Sequence, residues 1–414
     1  MDNFEAALAK LIIREEGEIK FYTFDSTQYS DSGSALKKSM PVFYNPIQEV
    51  NRSLSQIVYR AFQQVTADDE HFQPFTICDS MAASGIRSLR LLKYLDHPIK
   101  VISNDLNPLA LKIIEKNLEL NNFSREDLEL TNEDAAFLFS KLHNSRQYPS
   151  SIDIDPFGTP NIFIEPALRA VALRGLVGIT ATDTAVLFGV KPTACARKYN
   201  LRCLRSSFLK EVGLRLLLYY TAIRAHPYMN YIEPQMSLSF EHYIRIFVRV
   251  FKGKGGVNRN LANSGYMLWC PKCDWRKTIG LDLRNSQVGS SCPLCGSKID
   301  YGGPLWIGPL HDNLFVEKTI LVLNGSTKEQ IPSKKRLTKL LNIVKEENQF
   351  PPGYYDLHKL CDLLNVSVSK STDILQKIHA AGFQAGMTHI DPRAIKSDIP
   401  INLLKEILVN LHNS

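Results

Sequence analysis

Residues 75–79 read FTICD, and four further segments of the same kind follow along the chain. Each is a short run rich in apolar and β-branched residues that ends in an aspartate: VISND at Asp105, LELTNED at Asp134, SIDID at Asp155 and GLVGITATD at Asp183. Counted from Asp79, the acids are 26, 29, 21 and 28 residues apart, the length of a strand, a helix and two turns. The pattern predicts an α/β fold with a mostly parallel sheet.

The five aspartates hold the same position in this repeated unit. Right-handed crossovers bring the carboxyl ends of parallel strands to one edge of the sheet, so we expect these side chains at that edge. Open α/β sheets bind their ligands there. One aspartate after a strand is commonly a helix cap, but five in phase indicate a binding site.

Composition is that of an ordinary globular protein. The 414 residues suffice for two or three domains, with 44% apolar and 22% charged residues. Residues 1–20 lack the layout of a signal peptide, and no run of about 18 apolar residues predicts a membrane span. We expect a cytoplasmic protein with no membrane and no obligate protein partner, in which eight cysteines indicate metal binding rather than disulfides.

The turn after the first strand, DSMAASGIR at residues 79–87, has one glycine, Gly85, where a dinucleotide fingerprint needs three to approach a pyrophosphate. This disfavours NAD and FAD and favours a cofactor without phosphates, such as S-adenosylmethionine, whose cationic groups attract acids. Asp105, twenty residues after Gly85, stands where a ribose-binding carboxylate belongs. Asp134 and Ala135 are placed to receive the adenine edge. The order and spacing favour a Rossmann-like class I methyltransferase over a flavodoxin-like domain with capping aspartates.

The fourth strand is followed by DPFGTP, which begins at Asp155. An exocyclic amine on a base is a poor nucleophile, so a carboxylate that accepts hydrogen bonds from its N–H groups would stabilise the charge that develops on it. The next aromatic ring, that of Phe157, could stack on an extruded base. The motif therefore favours an amino-methylating enzyme.

Several motifs together resemble the tRNA (guanine-26-N2)-dimethyltransferase family of archaea, eukaryotes and a few bacteria. The similarity runs from about Phe43 to Lys396 and includes FYNP with the following Asn51-Arg52, DSMAASGIRSLR, DIDPFGTP, GITATDTAVL, ACARKY and GPLWIGPL. It implies transfer of two methyl groups from S-adenosylmethionine to N2 of one guanine in tRNA.

The resemblance also implies roles for single residues. Asp155 would engage the guanine amine, with Phe43 and Phe157 flanking the ring. With Asp79 and Gly85 of the first turn, the expected cofactor residues are Arg52, Arg87, Asp105, Asp134 and Ala135. One departure from the family pattern is Ser53, which stands where an aspartate commonly follows the Asn-Arg pair.

Two CxxC pairs, Cys270 with Cys273 and Cys292 with Cys295, have eighteen residues between them. This spacing places four thiolates around one tetrahedral zinc ion, as in a zinc ribbon, and leaves no open position for catalysis. We therefore expect a structural Zn2+. The nearby Trp269 and Trp275 could touch RNA or shield the metal. The isolated cysteines are expected to be small core residues: Cys78, Cys195, Cys203 and Cys361.

The chain divides by composition into three predicted domains. Residues 1–255 form the methyltransferase domain with an N-terminal extension, 256–302 the zinc-ribbon segment, and 303–414 a C-terminal α+β domain that binds tRNA. The segments IEPQMSLSF and YIRIFVRVFK predict a β-hairpin, and residues 253–264 a Gly/Asn-rich linker. The last domain has three helical patterns, two of them followed by an extended THIDPRAIK in the manner of a winged helix.

A basic segment supports tRNA as the partner. From Lys191 to Arg259 there are thirteen Lys and Arg against three Glu, a net charge of +10 that exceeds the +7 of the whole chain. Cations can bind phosphates, and the interleaved aromatic residues can stack on bases: Tyr219, Tyr220, Tyr228 and Tyr231. The alternative is a solvated face whose arginines pair with acids elsewhere.

Two other functions remain open at this point. One is an amino-methyltransferase that acts on adenine N6 or on a protein amide, since such enzymes share the arrangement after the fourth strand. The other is a catalytically silent, zinc-containing RNA-binding protein. The Asp155 carboxylate followed by Gly158 favours the guanine enzyme over the first alternative, and the complete set of cofactor and catalytic residues favours it over the second.

Overall fold

The computed structural model describes residues 2–29, 40–282 and 289–413. The chain forms two compact units. The first unit consists of Met1–Pro156, Ile162–Ile179 and Glu317–Lys339, and the second unit of Phe157–Asn161, Thr180–Val316 and Leu340–Ser414. The domain boundaries expected at residues 255 and 302 stay a prediction.

The described residues contain the following elements. The strands are β1 (Ile12–Glu16), β2 (Ile19–Thr23), β3 (Phe75–Asp79), β4 (Ile99–Asn104), β5 (Leu128–Thr131), β6 (Ser151–Ile154), β7 (Leu176–Ala181), β8 (Asn230–Phe240), β9 (Tyr243–Lys252), β10 (Ser264–Trp269), β11 (Arg276–Gly280), β12 (Asp300–Trp306), β13 (Tyr355–Asp356), β14 (Ala385–Met387) and β15 (Ala394–Ser397). The α-helices are α1 (Asp2–Leu8), α2 (Glu49–Val65), α3 (Ile86–Tyr94), α4 (Pro108–Leu120), α5 (Ala135–Asn144), α6 (Asn161–Ala170), α7 (Thr184–Leu187), α8 (Pro192–Tyr199), α9 (Leu209–Ala225), α10 (Lys254–Ala262), α11 (Asn313–Gly325), α12 (Lys334–Glu347), α13 (Leu357–Leu364), α14 (Ser371–Ala380) and α15 (Ile401–Asn413). Of the helices in these ranges, none is long and apolar enough to cross a membrane.

Five parallel strands form the main sheet of the first unit. They lie in the order β5-β4-β3-β6-β7, with Ile77 of β3 opposite Val101 of β4 and Ser151 of β6. Every residue of β6 and β7 is buried, as expected for parallel strands that are covered on both faces. The predicted α/β sheet is confirmed, and each strand ends at or shortly before its acid: Asp79, Asp105, Asp134, Asp155 and Asp183.

Local signals explain how two helices start after these strands. Asn107 caps α4, because its side-chain oxygen accepts a hydrogen bond from the Leu109 N–H at 3.0 Å, and Pro108 takes the first helical position. Gly85 precedes α3 with a φ of +77°. A Cβ at this position would lie 2.8 Å from Cγ1 of Ile114, so the backbone conformation and the close packing both require glycine.

In the second unit, β8 and β9 form the predicted antiparallel hairpin. The prediction of a linker at residues 253–264 is wrong, because this segment contains the helix α10. The Asn260 side chain donates to the Ile232 carbonyl and accepts from the Ile232 N–H, both at 2.9 Å. Gly256 lies so close to the Tyr231 ring that a Cβ would come within 2.1 Å of it. The glycine and the asparagine therefore serve packing rather than flexibility.

Two three-stranded sheets follow in the second unit. The first has the order β11-β10-β12 and carries the cysteine pairs, and the second has the order β13-β15-β14. The helices α13 and α14 precede β14 and β15 as the winged-helix pattern predicts. They share one buried cluster with α15, whose members include Leu357, Leu360, Ile374, Ile378 and Leu404.

Candidate active site

Asp155 follows β6 at the carboxyl edge of the first unit's sheet. Its Oδ2 accepts hydrogen bonds from Arg87 Nη2 and, at 3.5 Å, from Asn51 Nδ2. The Asp155 side chain is 25% exposed, and no described residue forms a hydrogen bond with its Oδ1. One carboxylate oxygen is therefore anchored, and the other is left for a ligand.

Arg87 links Asp155 to a second acid beneath it. Its Nη1 donates to Asp153 Oδ1, and Asp153 Oδ2 also accepts a hydrogen bond of 2.7 Å from the Tyr59 hydroxyl. Although burial opposes it, the negative charges of Asp153 and Asp155 raise the pKa of Arg87, which is therefore a permanent cation. The expected cofactor contact of Arg87 stays a prediction, while the structure directs its guanidinium to two carboxylates.

Asp79, at the end of β3, is a buried acid of the same edge. Its Oδ2 accepts a hydrogen bond of 2.7 Å from Ser88 Oγ. Burial raises the pKa of Asp79 to about 6, and the positive charge of Arg87 opposes this effect. Arg87 pairs with Asp153 and Asp155, and its charge also acts on Asp79. Three acids near one arginine give this edge an excess of negative charge, which suits a cationic ligand.

Asp105, for which a ribose contact is predicted, is held by two backbone N–H groups. Its Oδ2 accepts from the Ala83 N–H and its Oδ1 from the Asn107 N–H, both at 2.8 Å. These bonds fix the carboxylate, while each oxygen keeps a second lone pair that can accept a hydroxyl. Burial raises the pKa of Asp105. The side chain is half-buried, so a ligand can reach it.

Asp134 is a helix cap, and its expected contact with adenine stays a prediction. Its Oδ1 caps α5 by accepting hydrogen bonds from the N–H groups of Ala136 and Phe137, at 3.0 and 3.1 Å. The residue is exposed, and no described residue bonds to its Oδ2. Ala135 is the first residue of α5 and is buried. The cap orients Asp134 and leaves one oxygen available to the predicted adenine.

Arg52 lies in a buried ion-pair cluster. Its Nε donates to Glu16 Oε1 at 2.8 Å and its Nη2 donates to Glu16 Oε2 and to the Asn45 carbonyl. Arg90 pairs with the same carboxylate at 2.6 Å. Two arginines against one acid lower the pKa of Glu16 to about 2, despite its burial. The cofactor contact expected of Arg52 remains a prediction.

Ser53 is hydrogen-bonded to two charged side chains. The Ser53 hydroxyl donates to Glu49 Oε1 and accepts a hydrogen bond of 2.8 Å from Arg90 Nη2. Glu49 itself lies 3.5 Å from Arg90. Ser53 and Arg90 therefore both contact the carboxylate of Glu49, which lies one helical turn earlier.

The two aromatic residues expected at the base differ in exposure. Phe157 is 58% exposed and comes two residues after Asp155. Phe43 is half-buried in the segment before α2. Their predicted roles on either side of the guanine ring stay predictions.

The four predicted zinc ligands lie together in the second unit. The Sγ atoms of Cys270 and Cys295 are 3.5 Å apart, those of Cys273 and Cys292 are 3.4 Å apart, and all four lie within 4.8 Å of one another. Zn–S bonds of about 2.3 Å in a tetrahedron would separate sulfur atoms by about 3.8 Å, so the cluster fits zinc. Trp275 packs against this cluster and shields it. Residues 283–288 of the spacer lie outside the described residues.

A second cluster of metal-ligand types, which the sequence did not predict, consists of His311, Glu347 and His389. Each ring accepts a backbone hydrogen bond of 3.2 Å through one nitrogen, His311 Nδ1 from Ser237 and His389 Nε2 from Ser239. The other nitrogen of a neutral imidazole then carries the proton and cannot bind a metal. Burial lowers the pKa of His311 to about 4, which keeps this ring neutral. We assign this cluster to the hydrogen-bonded core, where no spacing in the sequence could have revealed it.

Part of the basic segment serves the interior of the second unit. Arg215 pairs with Glu211 at 2.8 Å, and Arg245 donates to Thr180 at 2.7 Å. Tyr220, expected to stack on a base, is buried instead. The cations that are exposed include Lys191, Arg197, Arg205, Lys252, Lys254 and Arg259. The candidate tRNA surface is therefore less positive than the segment's net charge suggests.

The chain is similar to known proteins over most of its length. Residues 17–409 match the family model described as N2,N2-dimethylguanosine tRNA methyltransferase. A relative from Methanobrevibacter smithii, named tRNA (guanine(26)-N(2))-dimethyltransferase, is 34% identical over 97% of this chain and 97% of its own. A protein of the same name from Drosophila melanogaster is 29% identical over 89% of this chain and 72% of its own. The structure of Trm1 from Pyrococcus horikoshii in complex with S-adenosyl-L-methionine superposes with a TM-score of 0.80 at 28% identity, covering 96% of this chain and all of that one.

Proposed function

Because the chain belongs to the N2,N2-dimethylguanosine tRNA methyltransferase family, we propose that Asp155 drives the transfer of two methyl groups from S-adenosylmethionine to N2 of guanine 26 in tRNA. The enzyme is a tRNA (guanine-N2)-dimethyltransferase. The observation that carries the residue assignment is the state of Asp155, which is anchored through Oδ2 and open at Oδ1.

The chemistry assigned to Asp155 is that of a hydrogen-bond acceptor. S-adenosylmethionine, when bound, supplies the methyl group on its sulfonium. The N2 amine uses its lone pair to form the new N–C bond and becomes cationic as the S–C bond breaks. Asp155 Oδ1 accepts a hydrogen bond from an N–H of that amine and stabilises the positive charge, and the proton then leaves to solvent.

One carboxylate can serve both methylations. After the first transfer the amine keeps one N–H, which rotates toward Oδ1 while the new methyl group turns away. Arg87 and Asn51 hold Asp155 from the other side, so the acceptor does not need to move between rounds. The used cofactor must be replaced by a fresh one between the two methylation rounds. Phe157 and Phe43 would hold the base ring by stacking.

The acids along the edge of the sheet support the cofactor assignment. Asp79, Asp105 and Asp134 present carboxylates on three successive strands, and the first is buried close to Asp153 and Asp155. Asp105 would bind the ribose hydroxyls, and Asp134 with Ala135 the adenine. The negative excess would attract the sulfonium and ammonium groups.

The second unit would contribute a structural zinc ion and a tRNA surface. Four thiolates fill a tetrahedral shell, so the ion would stabilise the β11-β10-β12 sheet and take no part in methyl transfer. The Lys405 ammonium donates to the Cys273 carbonyl at 2.7 Å, which ties α15 to the first cysteine pair. Exposed cations of the basic segment, among them Lys254 and Arg259, would bind tRNA phosphates.

Nucleoside mass spectrometry tests the proposed function. Purified protein is incubated with S-adenosylmethionine and an unmodified tRNA transcript, and a transcript with adenine at position 26 serves as the control. We expect monomethylguanosine and then dimethylguanosine from the first transcript and neither from the second. Methyl groups on adenine N6 would overturn the proposal in favour of another amino-methyltransferase, and no methylated nucleoside at all would favour the silent RNA-binding protein.

A further inference from the structure

The loop that presents Phe157 is held by backbone contacts within the second unit. The Gly158 N–H donates to Thr182 Oγ1 at 2.8 Å, and the Gly158 carbonyl accepts from the Thr182 N–H at 3.0 Å. Gly158 has a φ of +95°, and a Cβ there would meet nothing within 4 Å. The residue next to Phe157 is therefore an uncrowded glycine, and it does not by itself fix the direction of the ring.

The next residue of the loop, Thr159, is anchored by a buried side chain. Tyr199, the last residue of α8, is fully buried, and its hydroxyl lies 3.0 Å from Thr159 Oγ1. The same hydroxyl donates to Asp183, at 3.0 Å from Oδ1 and 3.2 Å from Oδ2. An ionised carboxylate only accepts hydrogen bonds, so the Tyr199 proton points to Asp183. The Tyr199 oxygen therefore acts as an acceptor toward Thr159, whose single hydroxyl proton it shares with the Asn161 amide oxygen.

The anchor is closed by further contacts with α8. Thr159 Oγ1 also lies 3.1 Å from Asn161 Oδ1, and Asn161 Nδ2 donates to the Lys198 carbonyl at 2.8 Å. Burial and the nearby Asp183 raise the pKa of Tyr199, so its hydroxyl stays protonated and remains a donor. The Tyr199 ring packs edge-on against Tyr220, with centroids 5.1 Å apart. The tyrosine thus has a fixed place that does not depend on the loop.

We infer that Tyr199 is a positioning residue of the methyl transfer, which acts through Thr159 to fix the loop and so directs the Phe157 ring toward the target base. This inference rests on the proposed function and on the stacking role of Phe157. Within the second unit, Gly158 is bonded to Thr182, and Thr159, two residues after Phe157, is anchored by Tyr199. With these two residues held, the exposed ring has a defined direction in the second unit.

Tyr199→Phe tests the inference, because it removes the hydroxyl and keeps the ring packing on Tyr220. We expect kcat to fall about 10-fold while KM for tRNA changes less than about twofold, since a misdirected ring affects alignment more than binding. Thr159→Val should reproduce the loss, and Thr159→Ser, which keeps a hydroxyl, should restore most of the rate. Thr159→Val also serves as the second variant if Tyr199→Phe lowers the melting temperature.

A double-mutant cycle separates positioning from a general loss of stability. In a Phe157→Ala background, Tyr199→Phe should cause no further loss of kcat, because its target is gone. Tyr94→Phe is the matched control: its buried hydroxyl accepts from the Glu18 N–H at 3.1 Å, far along the chain from the loop, and its kcat should equal that of the parent.

Two results would overturn the inference. One is a kcat for Tyr199→Phe within about twofold of the parent. The other is a loss of kcat on Tyr199→Phe that is equally large in the parent and in the Phe157→Ala background. Both require a parent enzyme that makes dimethylguanosine, so they differ from a failure of the proposed function, in which the parent itself makes none.

Discussion

Replacing Asp155 with asparagine is the sharpest perturbation of the proposed mechanism. The change keeps the size of the side chain and removes the negative charge that would face the guanine amine. Removing one preorganised electrostatic contact from a transition state typically costs a factor of about 100–1,000 in kcat. We expect a loss of this size in Asp155→Asn, with monomethylation and dimethylation affected alike because one carboxylate serves both.

The structure also predicts that this variant folds and binds the cofactor. Arg87 keeps its pair with the buried Asp153 when Asp155 is neutral, so no buried charge is left alone. The Asp155 side chain is 25% exposed, and the amide oxygen of an asparagine can still accept a hydrogen bond from Arg87, so we expect the variant to fold. Affinity for S-adenosylmethionine should change by less than about threefold, since the three other acids assigned to the cofactor remain: Asp79, Asp105 and Asp134.

Single-turnover methylation of a tRNA transcript, followed by nucleoside mass spectrometry, measures the rate. Titration calorimetry measures cofactor binding. Glu129→Gln is the control, because it removes a carboxylate from an exposed pair with Lys100 on the same sheet. A rate for Asp155→Asn within about threefold of the control would refute the role assigned to the carboxylate.

The charges and the metal cluster give three further predictions. Affinity for S-adenosylmethionine should weaken as pH falls through about 6, because Asp79 then gains a proton and the edge loses negative charge. The affinity for S-adenosylhomocysteine, which has no sulfonium, should depend less on pH. Calorimetry measures both affinities, and an equal pH dependence for the two ligands would contradict this prediction. Cys273→Ser should abolish stoichiometric zinc in metal analysis and lower the melting temperature, whereas cofactor binding should persist; a zinc content equal to the parent's would remove Cys273 from the ligand set. Affinity for tRNA should fall with salt, and replacing Lys252, Lys254 and Arg259 with glutamine should reduce the log–log slope by about one for each of these cations that binds a phosphate; an unchanged slope would place the tRNA surface elsewhere.

The parallel sheet and its line of acids were predictable because both are local patterns. Strand length, helix length and the position of each aspartate can be counted directly along the chain, and right-handed crossovers then place Asp79, Asp105, Asp134 and Asp155 at one edge. The four cysteines were predictable for the same reason, since their spacing is short. Gly85 was recognised as special, but its packing against Ile114 was not, because that contact joins segments far apart in sequence.

Some local signals were misleading. The Gly/Asn-rich segment 253–264 has the composition of a linker, yet Asn260 and Gly256 place a helix against β8. The count of +10 in the basic segment did not show that Arg215 and Arg245 face inward. In each case a tertiary partner, rather than the residue itself, decides between surface and interior.

The amino-acid sequence by itself determined the fold class, the family and the identities of the candidate catalytic and metal-binding residues, because these depend on residue types at countable spacings. Only the tertiary structure decided how the charges are paired: Arg87 lies on Asp153 and Asp155, and Tyr199 connects Thr159 to Asp183. These partners are between 16 and 68 residues apart. No local rule links residues at such distances, since their contact exists only after the strands and helices have packed.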